Sequence, residues 1–390
     1  MSVQLMMGFD LIPGGFLPTN FTPTPLGNGI QPFVTAYNLV AAASGQTTDG
    51  VGVTGRTQDT MGDGRNALVI FRMNANVRPL LAFNAGNARP LDPNAPYRYT
   101  FGFRWRASSV GTSPAALNGD SFFWGMGTAS ILGTTAGNRL TFMGTTVTAI
   151  SSLARDQDYY FEVLIEHDGD TKGGSTYSAM MTLFVDGEQV MQLPAPALPT
   201  NVVDKFSPSI GIYRASTAST SNVQRWLFND IYLTDGEGDA PFNRNLGPQR
   251  VKLIFPDEVV SNTWGLSAGS DPLALIGQAN GRDDTKFLTA PDDDTASSYR
   301  FGFPTNAKSV VNGIHIYARA KRDDGGSRPL VGSIATAGGT ELNTLASTVL
   351  TNTFADRLIG AYAPKTAAEA INLRDAALQN MVISLKAPTT

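Results

Sequence analysis

The chain has 390 residues, more than one hydrophobic core commonly serves, so two domains are expected. Apolar residues make up 42% and charged residues only 16%, and the net charge is −4; a large core is affordable, and the basic footprint that general nucleic-acid binding requires is missing. Cysteine is absent and histidine is limited to His167 and His315, which excludes disulfides and thiolate metal sites and leaves imidazole chemistry little to work with.

The first thirty residues lack a positively charged start followed by an apolar run, so they do not read as a signal peptide. No stretch of about 18 apolar residues occurs, and no membrane partner is expected. Pro13, Pro18, Pro23 and Pro25 forbid a regular helix over residues 1–30 and point to an extended arm. Its apolar side chains, among them Leu5, Met6, Phe9, Phe16 and Phe21, have to dock somewhere. They cover this chain's own sheet or strap onto a neighbouring subunit.

Residues 31–235 carry a β pattern. Ala67–Met73 suits a buried strand. Residues 97–106, YRYTFGFRWR, alternate strictly: Tyr97, Tyr99, Phe101, Phe103 and Trp105 share one face, and Arg98, Thr100, Gly102, Arg104 and Arg106 the other. Left exposed, the rings would make an apolar patch larger than soluble monomers commonly tolerate. They are expected to form a core wall, with the arginines outside and facing acidic neighbours.

Farther along, Tyr159–His167 places Phe161, Val163 and Ile165 on one face and Glu162 and Glu166 on the other. Asp186-Gly187 between two apolar runs predicts a hairpin whose turn needs positive φ at both positions. Ser209–Arg214 and Arg225–Thr234 complete a set of short strands typical of a sandwich or jelly roll. Residues 236–250 read as a polar linker.

In the C-terminal β domain, 251–390, strands are expected at Val251–Phe255, Tyr299–Phe303, Gly313–Arg319, Pro329–Thr336 and Met381–Leu385. Thr366 and Glu369 have the spacing of a capping box and predict a short helix through about Gln379. YRYTFGF at 97–103 is echoed by YRFGF at 299–303, either through duplication of a domain or through shared strand vocabulary.

FEVLIEHDGDTKGG at 161–174 and LFVDGEQV at 183–190 resemble the hairpin region of concanavalin-A-like, laminin-G-like jelly rolls. NDIYLTDGEGDAPFNRNLGPQRVKLIFPDE at 229–258 resembles a stretch recurring in structural proteins of tailed bacteriophages, in which a final jelly-roll strand carrying Asp-Ile-Tyr runs into a Gly-rich loop ending in Leu-Gly. PDDDTASSYRFGF at 291–303 and YARAKRDDGGSRPL at 317–330 extend the likeness, although no tryptophan follows Trp264. The resemblance covers roughly residues 160–335, and residues 60–160 only by β pattern. It implies a mainly β protein: an extended N-terminal arm, a jelly-roll β-sandwich and a second, C-terminal β-sandwich domain. It also implies a place in a phage virion (tail, baseplate, fibre-associated or capsid surface), with other virion proteins and copies of itself as partners.

Little in the sequence promises chemistry. His167, Asp168 and Asp170, the Asp283-Asp284 pair and Asp292-Asp293-Asp294 are conceivable cation ligands, but Asp-Gly is also ordinary turn chemistry and no EF-hand spacing is present. Glu162 and Glu166, about 13 Å apart at ~3.3 Å per residue, are too far separated for a glycosidase pair and are expected to be solvated. His315 alternates with Ile314 and Ile316 and points away from their face. No phosphate loop, nucleophile elbow or zinc-binding His pair appears. The residues therefore predict no catalytic, cofactor or metal site, and a non-enzymatic, homo-oligomeric virion component. A carbohydrate-binding module that touches a host glycan is the alternative, and a glycan depolymerase a third.

Overall fold

The computed structural model describes residues 3–7, 40–42, 50–53, 61–63, 65, 67–72, 80–82, 97–109, 117, 120–126, 129–167, 179–195, 208–214, 224–240, 242–252, 254–276, 283–302, 310–323, 329–335, 341–344, 348–366, 369, 371–372 and 381–388. The chain divides into two compact units, Met1–Lys252 and Leu253–Thr390.

The strands of the first unit are β1 (Val3–Met7), β2 (Val40–Ala42), β3 (Gly50–Val53), β4 (Leu68–Arg72), β5 (Leu80–Ala82), β6 (Tyr97–Ala107), β7 (Asp120–Met126), β8 (Ala129–Thr135), β9 (Arg139–Phe142), β10 (Thr145–Thr146), β11 (Asp158–His167), β12 (Ala179–Val185), β13 (Glu188–Pro194), β14 (Ser209–Arg214) and β15 (Gln224–Thr234). They form two antiparallel sheets. One runs β13-β12-β11-β6-β15-β4-β3 with β1 also on β15, and the other runs β10-β9-β8-β7-β14-β5-β2. This is a β-sandwich of the jelly-roll kind, as the alternating runs and Gly-rich turns predicted.

The aromatic side of β6 makes the contact between the sheets. Tyr99, Phe101, Phe103 and Trp105 are all buried. Phe101 stacks on Phe123 at 5.1 Å, Trp105 stacks on Phe122 at 5.0 Å, and Trp226 meets Phe122 edge-on at 5.6 Å. Phe161, Val163 and Ile165 of β11 extend the same wall. The β12–β13 hairpin turns at Asp186 and Gly187, with φ of 51° and 90°, the paired positive values that the Asp-Gly dipeptide supplies.

The N-terminal residues Val3–Met7 add to this chain's own sheet, Met7 opposite Ile231 and Val3 opposite Thr234. The rest of the arm, residues 8–30, lies outside the described residues. The segment that reads as a linker behaves differently from that expectation: residues 242–252 pack on the first unit, with Phe242 buried.

The second unit holds β16 (Pro256–Ser261), β17 (Gly265–Leu266), α1 (Pro272–Ile276), β18 (Leu288–Thr289), β19 (Ser297–Phe301), β20 (Val310–Val311), β21 (Ile314–Ala320), β22 (Pro329–Ala335), β23 (Glu341–Thr344), β24 (Thr348–Val349), β25 (Ala355–Tyr362), β26 (Ile371–Asn372) and β27 (Val382–Lys386). A sheet ordered β16-β19-β27-β22-β23 faces the β21–β25 ribbon. Trp264, Ile316, Ile334, Ile359, Met381 and Ile383 fill the core between them.

Two elements differ from the sequence reading. The strand expected at Val251–Phe255 begins only at Pro256, and the Val251 N–H donates to the Asp230 carboxylate at 2.9 Å. The helix expected after Thr366 is replaced by strand β26, which pairs with β20, while the Thr366 hydroxyl still accepts the Glu369 N–H at 3.3 Å. Residues 373–380 lie outside the described residues.

Candidate functional site

The sandwich hides one face of β6, β11 and β15 and leaves the other pointing away from the core. On that outer face Glu162, Gly102 and Tyr232 stand in register across the three strands. Tyr232 is there because β15 bulges: the pairing jumps from Asn229 opposite Arg104 to Tyr232 opposite Gly102, with Asp230 at φ 49° inside the bulge. Gly102 leaves the space for the ring, since a Cβ built on it would lie 2.1 Å from Tyr232 Cε1.

The Tyr232 ring therefore lies across Gly102, and its hydroxyl donates to Glu162 Oε1. Glu162 is wholly buried, Tyr232 2% exposed and Tyr160 3% exposed, so each polar group depends on protein partners. Burial raises the Glu162 pKa, opposed by the hydrogen bonds from Tyr232 and from the backbone of residues 246 and 247. Burial, with the neighbouring Glu162 charge, also holds the phenols of Tyr160 and Tyr232 well above their ordinary value. The pair is thus a carboxyl biased toward its protonated form and a phenol that stays a donor.

Beside it, Asp230 is buried and clasped by Arg65 through two hydrogen bonds of 2.8 and 2.6 Å. Arg104 Nε lies 3.1 Å from the same carboxylate. Tyr160 donates its hydroxyl to the Asp230 carbonyl at 3.1 Å. At the edge of the cluster Asp158 receives Arg106 at 3.2 Å and the Gly62 N–H at 3.0 Å. Arg98 pairs with Glu166 at 2.8 Å. The outward arginines of YRYTFGFRWR thus meet carboxylates of the neighbouring strand, as their positions predicted.

The outer face is covered by the chain's own segment. Leu246 N–H donates to Tyr232 Oη at 3.1 Å, Gly247 N–H to Glu162 Oε1 at 2.8 Å, Gln249 N–H to Tyr160 Oη, and Val251 N–H to Asp230 Oδ1 at 2.9 Å. The Gln249 side-chain amide ties the segment to itself, donating to the carbonyls of Leu246 at 2.8 Å and Gly247 at 3.1 Å.

Of the sequence candidates, Glu162 and Glu166 do share a face, but Glu162 is buried where solvation was expected. The covering segment is more than eighty residues away in the chain, so no local pattern marks it. Asp168 and Asp170 lie outside the described residues. Asp283 accepts the Thr285 N–H at 3.0 Å in a turn, Asp284 grips Arg319 with two bonds of 2.7 Å, and Asp293 accepts the Thr295 N–H at 3.0 Å. His315 lies 6.4 Å from Tyr317 on β21, in the second unit. Among the described residues no group of three or more His, Cys, Asp or Glu side chains is placed to hold a metal ion. Asp230 and Tyr232 entered the sequence reading only within the Asp-Ile-Tyr of the final jelly-roll strand, without a site role, and Tyr160 and Arg65 were given none.

No protein-family model matches the chain, and no curated protein matches it in sequence. Solved structures similar to it in fold include alginate lyase Aly36B, at 13% identity and a TM-score of 0.35 over 63% of this chain and 98% of that one. An endo-β-1,4-glucuronan lyase from the fungus Trichoderma reesei has 12% identity and a TM-score of 0.35 over 50% of this chain and 90% of that one. A carbohydrate esterase from the Shiga toxin-encoding bacteriophage phi24B has 12% identity and a TM-score of 0.31 over 52% and 92%. At these values the likeness is one of fold: β-sandwich jelly rolls found in carbohydrate-active proteins, one of them from a phage. The expectation of a non-enzymatic virion component gains no support from the comparisons and is not carried further: the structures named as similar in fold are lyases and an esterase. The sequence reading missed the Glu162–Tyr232 contact because the two residues meet only through a bulge and a glycine gap.

Proposed function

We propose that the chain is a polysaccharide-processing enzyme that works through the outer face of β6, β11 and β15. One observation carries this reading: Glu162, a buried carboxyl with a raised pKa, is hydrogen-bonded to the hydroxyl of Tyr232 on the sheet face opposite the core. A carboxyl whose pKa is raised by burial keeps its proton to higher pH than an exposed one and is suited to deliver it. A phenol that stays protonated supplies a second donor for a developing oxyanion. Asp230, held by Arg65 and Arg104, fixes the backbone bulge that places Tyr232. Substrate reaches the pair when residues 246–251 lift away from the sheet.

The sequence likeness to tailed-phage particle proteins supports a particle-borne enzyme, surrounded by virion proteins and copies of itself, with a glycan of the host surface as substrate.

The test is digestion of a panel of neutral and acidic polysaccharides by the full chain, read by viscosity, by new reducing ends and by ultraviolet absorbance of unsaturated ends. Scission of at least one polymer is expected, with E162Q folded but inactive. Absence of scission across the panel, or an E162Q variant as active as wild type, overturns the reading.

A further inference from the structure

The two oxygens of Glu162 are treated unequally. Oε1 accepts the Tyr232 hydroxyl, and also the Gly247 N–H at 2.8 Å. Oε2, on the same wholly buried side chain, has no hydrogen-bond partner among the described residues. The Leu246 N–H, also near the carboxyl, goes to Tyr232 Oη at 3.1 Å. A neutral carboxyl suits this arrangement, since its carbonyl oxygen takes both donors and its O–H is the group left unbonded. A carboxylate does not, because it spreads charge onto an oxygen that neither a donor nor water reaches.

The groups around Glu162 leave it without a counter-charge. On its own strand Tyr160 donates to the Asp230 carbonyl at 3.1 Å, and Glu166 pairs with Arg98. β6 places Gly102 opposite Glu162, and β12 places Phe184 there. β15 brings Tyr232 and Asp230, and Asp230 takes up Arg65 and Arg104. Arg106, four residues along β6 from Gly102, pairs with Asp156 and Asp158. Arg155 interacts with Asp120 and Asp156, and Arg225 follows beyond Leu227, the partner of Arg106. On the covering segment Arg244, Arg250 and Lys252 are exposed. Among the described residues none of these cations makes a salt bridge with Glu162.

We propose that Glu162 is a pH-operated latch: with its proton in place residues 246–251 lie closed on the sheet, and its ionisation opens them. Once the segment lifts, water reaches both oxygens and the carboxylate loses its penalty. The open state therefore favours the ionised form and the closed state the acid. Burial, the largest influence on Glu162, raises its pKa in the closed state, so it outweighs the stronger bond that an ionised Oε1 accepts from Gly247. Closure is fully held below the ordinary carboxylate value and is lost progressively as pH rises through the raised one. The latch governs access to the face that the proposed function uses. That consequence rests on the polysaccharide reading; the latch itself does not. A glycan that replaces the segment buries the carboxyl again and restores its proton.

The test needs no substrate. Hydrogen exchange of the Gly247 and Val251 amides in the full chain is followed by NMR from about pH 5 to about pH 8 and expressed as protection relative to an unstructured peptide. The Val147 amide, which donates to the Leu140 carbonyl at 2.9 Å on the other sheet, is the internal reference. Protection at Gly247 and Val251 is expected to fall about threefold or more across that range relative to Val147. In E162Q, which never ionises, it is expected to stay constant. Constant protection in wild type, or an equal fall in E162Q, overturns the latch. If E162Q does not fold, the wild-type profile at the two amides against Val147 decides by itself. A flat profile in a chain that cleaves glycans removes the latch and leaves the enzymatic reading. Scission of no polymer by a chain with the expected profile removes that reading and leaves the latch.

Discussion

Tyr232 lies across Gly102 and donates its hydroxyl to Glu162, two strands away on the same face of the sheet. Three separate features of the chain make that contact: a glycine without a side chain, a bulge at Asn229–Asp230 that shifts the register, and a covering segment that keeps water out. Each can be perturbed by itself.

Gly102 is the steric condition. A methyl group there would overlap the Tyr232 ring, at 2.1 Å from Cε1 and 2.7 Å from Cδ1 and Cζ. G102A is expected to lower stability by about 1–3 kcal/mol, the usual range for overpacking, and to turn Tyr232 away from Glu162. Urea denaturation gives the first number, and the Tyr232 ring resonances give the second. A G102A variant with wild-type stability would show that the ring has another place to go.

Glu162 should leave a mark on the pH dependence of stability. Its folded pKa lies above the ordinary 4.5, because burial outweighs the hydrogen bonds from Tyr232 and residues 246 and 247. Below the ordinary value the carboxyl is neutral in both folded and unfolded chains, and its favourable contribution is fully present. That contribution is lost as pH rises through the raised folded value, since the unfolded chain then sheds its proton more easily. Gln keeps an oxygen to accept from Tyr232 and Gly247 but never ionises. Unfolding midpoints measured from about pH 4 to about pH 7 should therefore show E162Q gaining steadily on wild type. A difference that stays flat, or that shrinks, contradicts a raised Glu162.

The Arg65–Asp230 clasp anchors the bulge. Asp230 is wholly buried and Arg65 7% exposed. Removing one partner strands the other in a poorly solvated site, so R65M is expected to cost about 3–5 kcal/mol. R65M/D230N, which removes both charges, should recover part of that loss, with a coupling of roughly 0.5–3 kcal/mol in a double-mutant cycle. Additive losses would mean that the two charges do not feel each other.

Much of the fold was legible because it is local. Tyr99, Phe101, Phe103 and Trp105 alternate along YRYTFGFRWR, so their burial follows from the two-residue period of a strand, and the arginines between them point to carboxylates on the next strand. Asp186-Gly187 announces its turn because few other dipeptides tolerate two positive φ values. The helix expected after Thr366 failed because the capping signal is local while the pairing of Ile371 with Val311 is not. The site was hidden for the same reason. Glu162 looks like any outward-facing strand carboxylate until Gly247, 85 residues on, is seen to cover it. A polar segment rich in Gly, Asn and Pro reads as a linker. That its N–H groups fall opposite four buried acceptors is a property of the fold and leaves no periodic trace.

The central claim is that Glu162 and Tyr232 handle protons for polysaccharide scission. Its most direct test is the pH–rate profile of scission by the full chain, compared among wild type, E162Q and Y232F. The expected result is a wild-type rate governed by one ionisation above the ordinary carboxylate value, a loss of about a hundredfold or more in E162Q, and a marked loss in Y232F without loss of fold. Variants that cleave at the wild-type rate with the wild-type profile would contradict it.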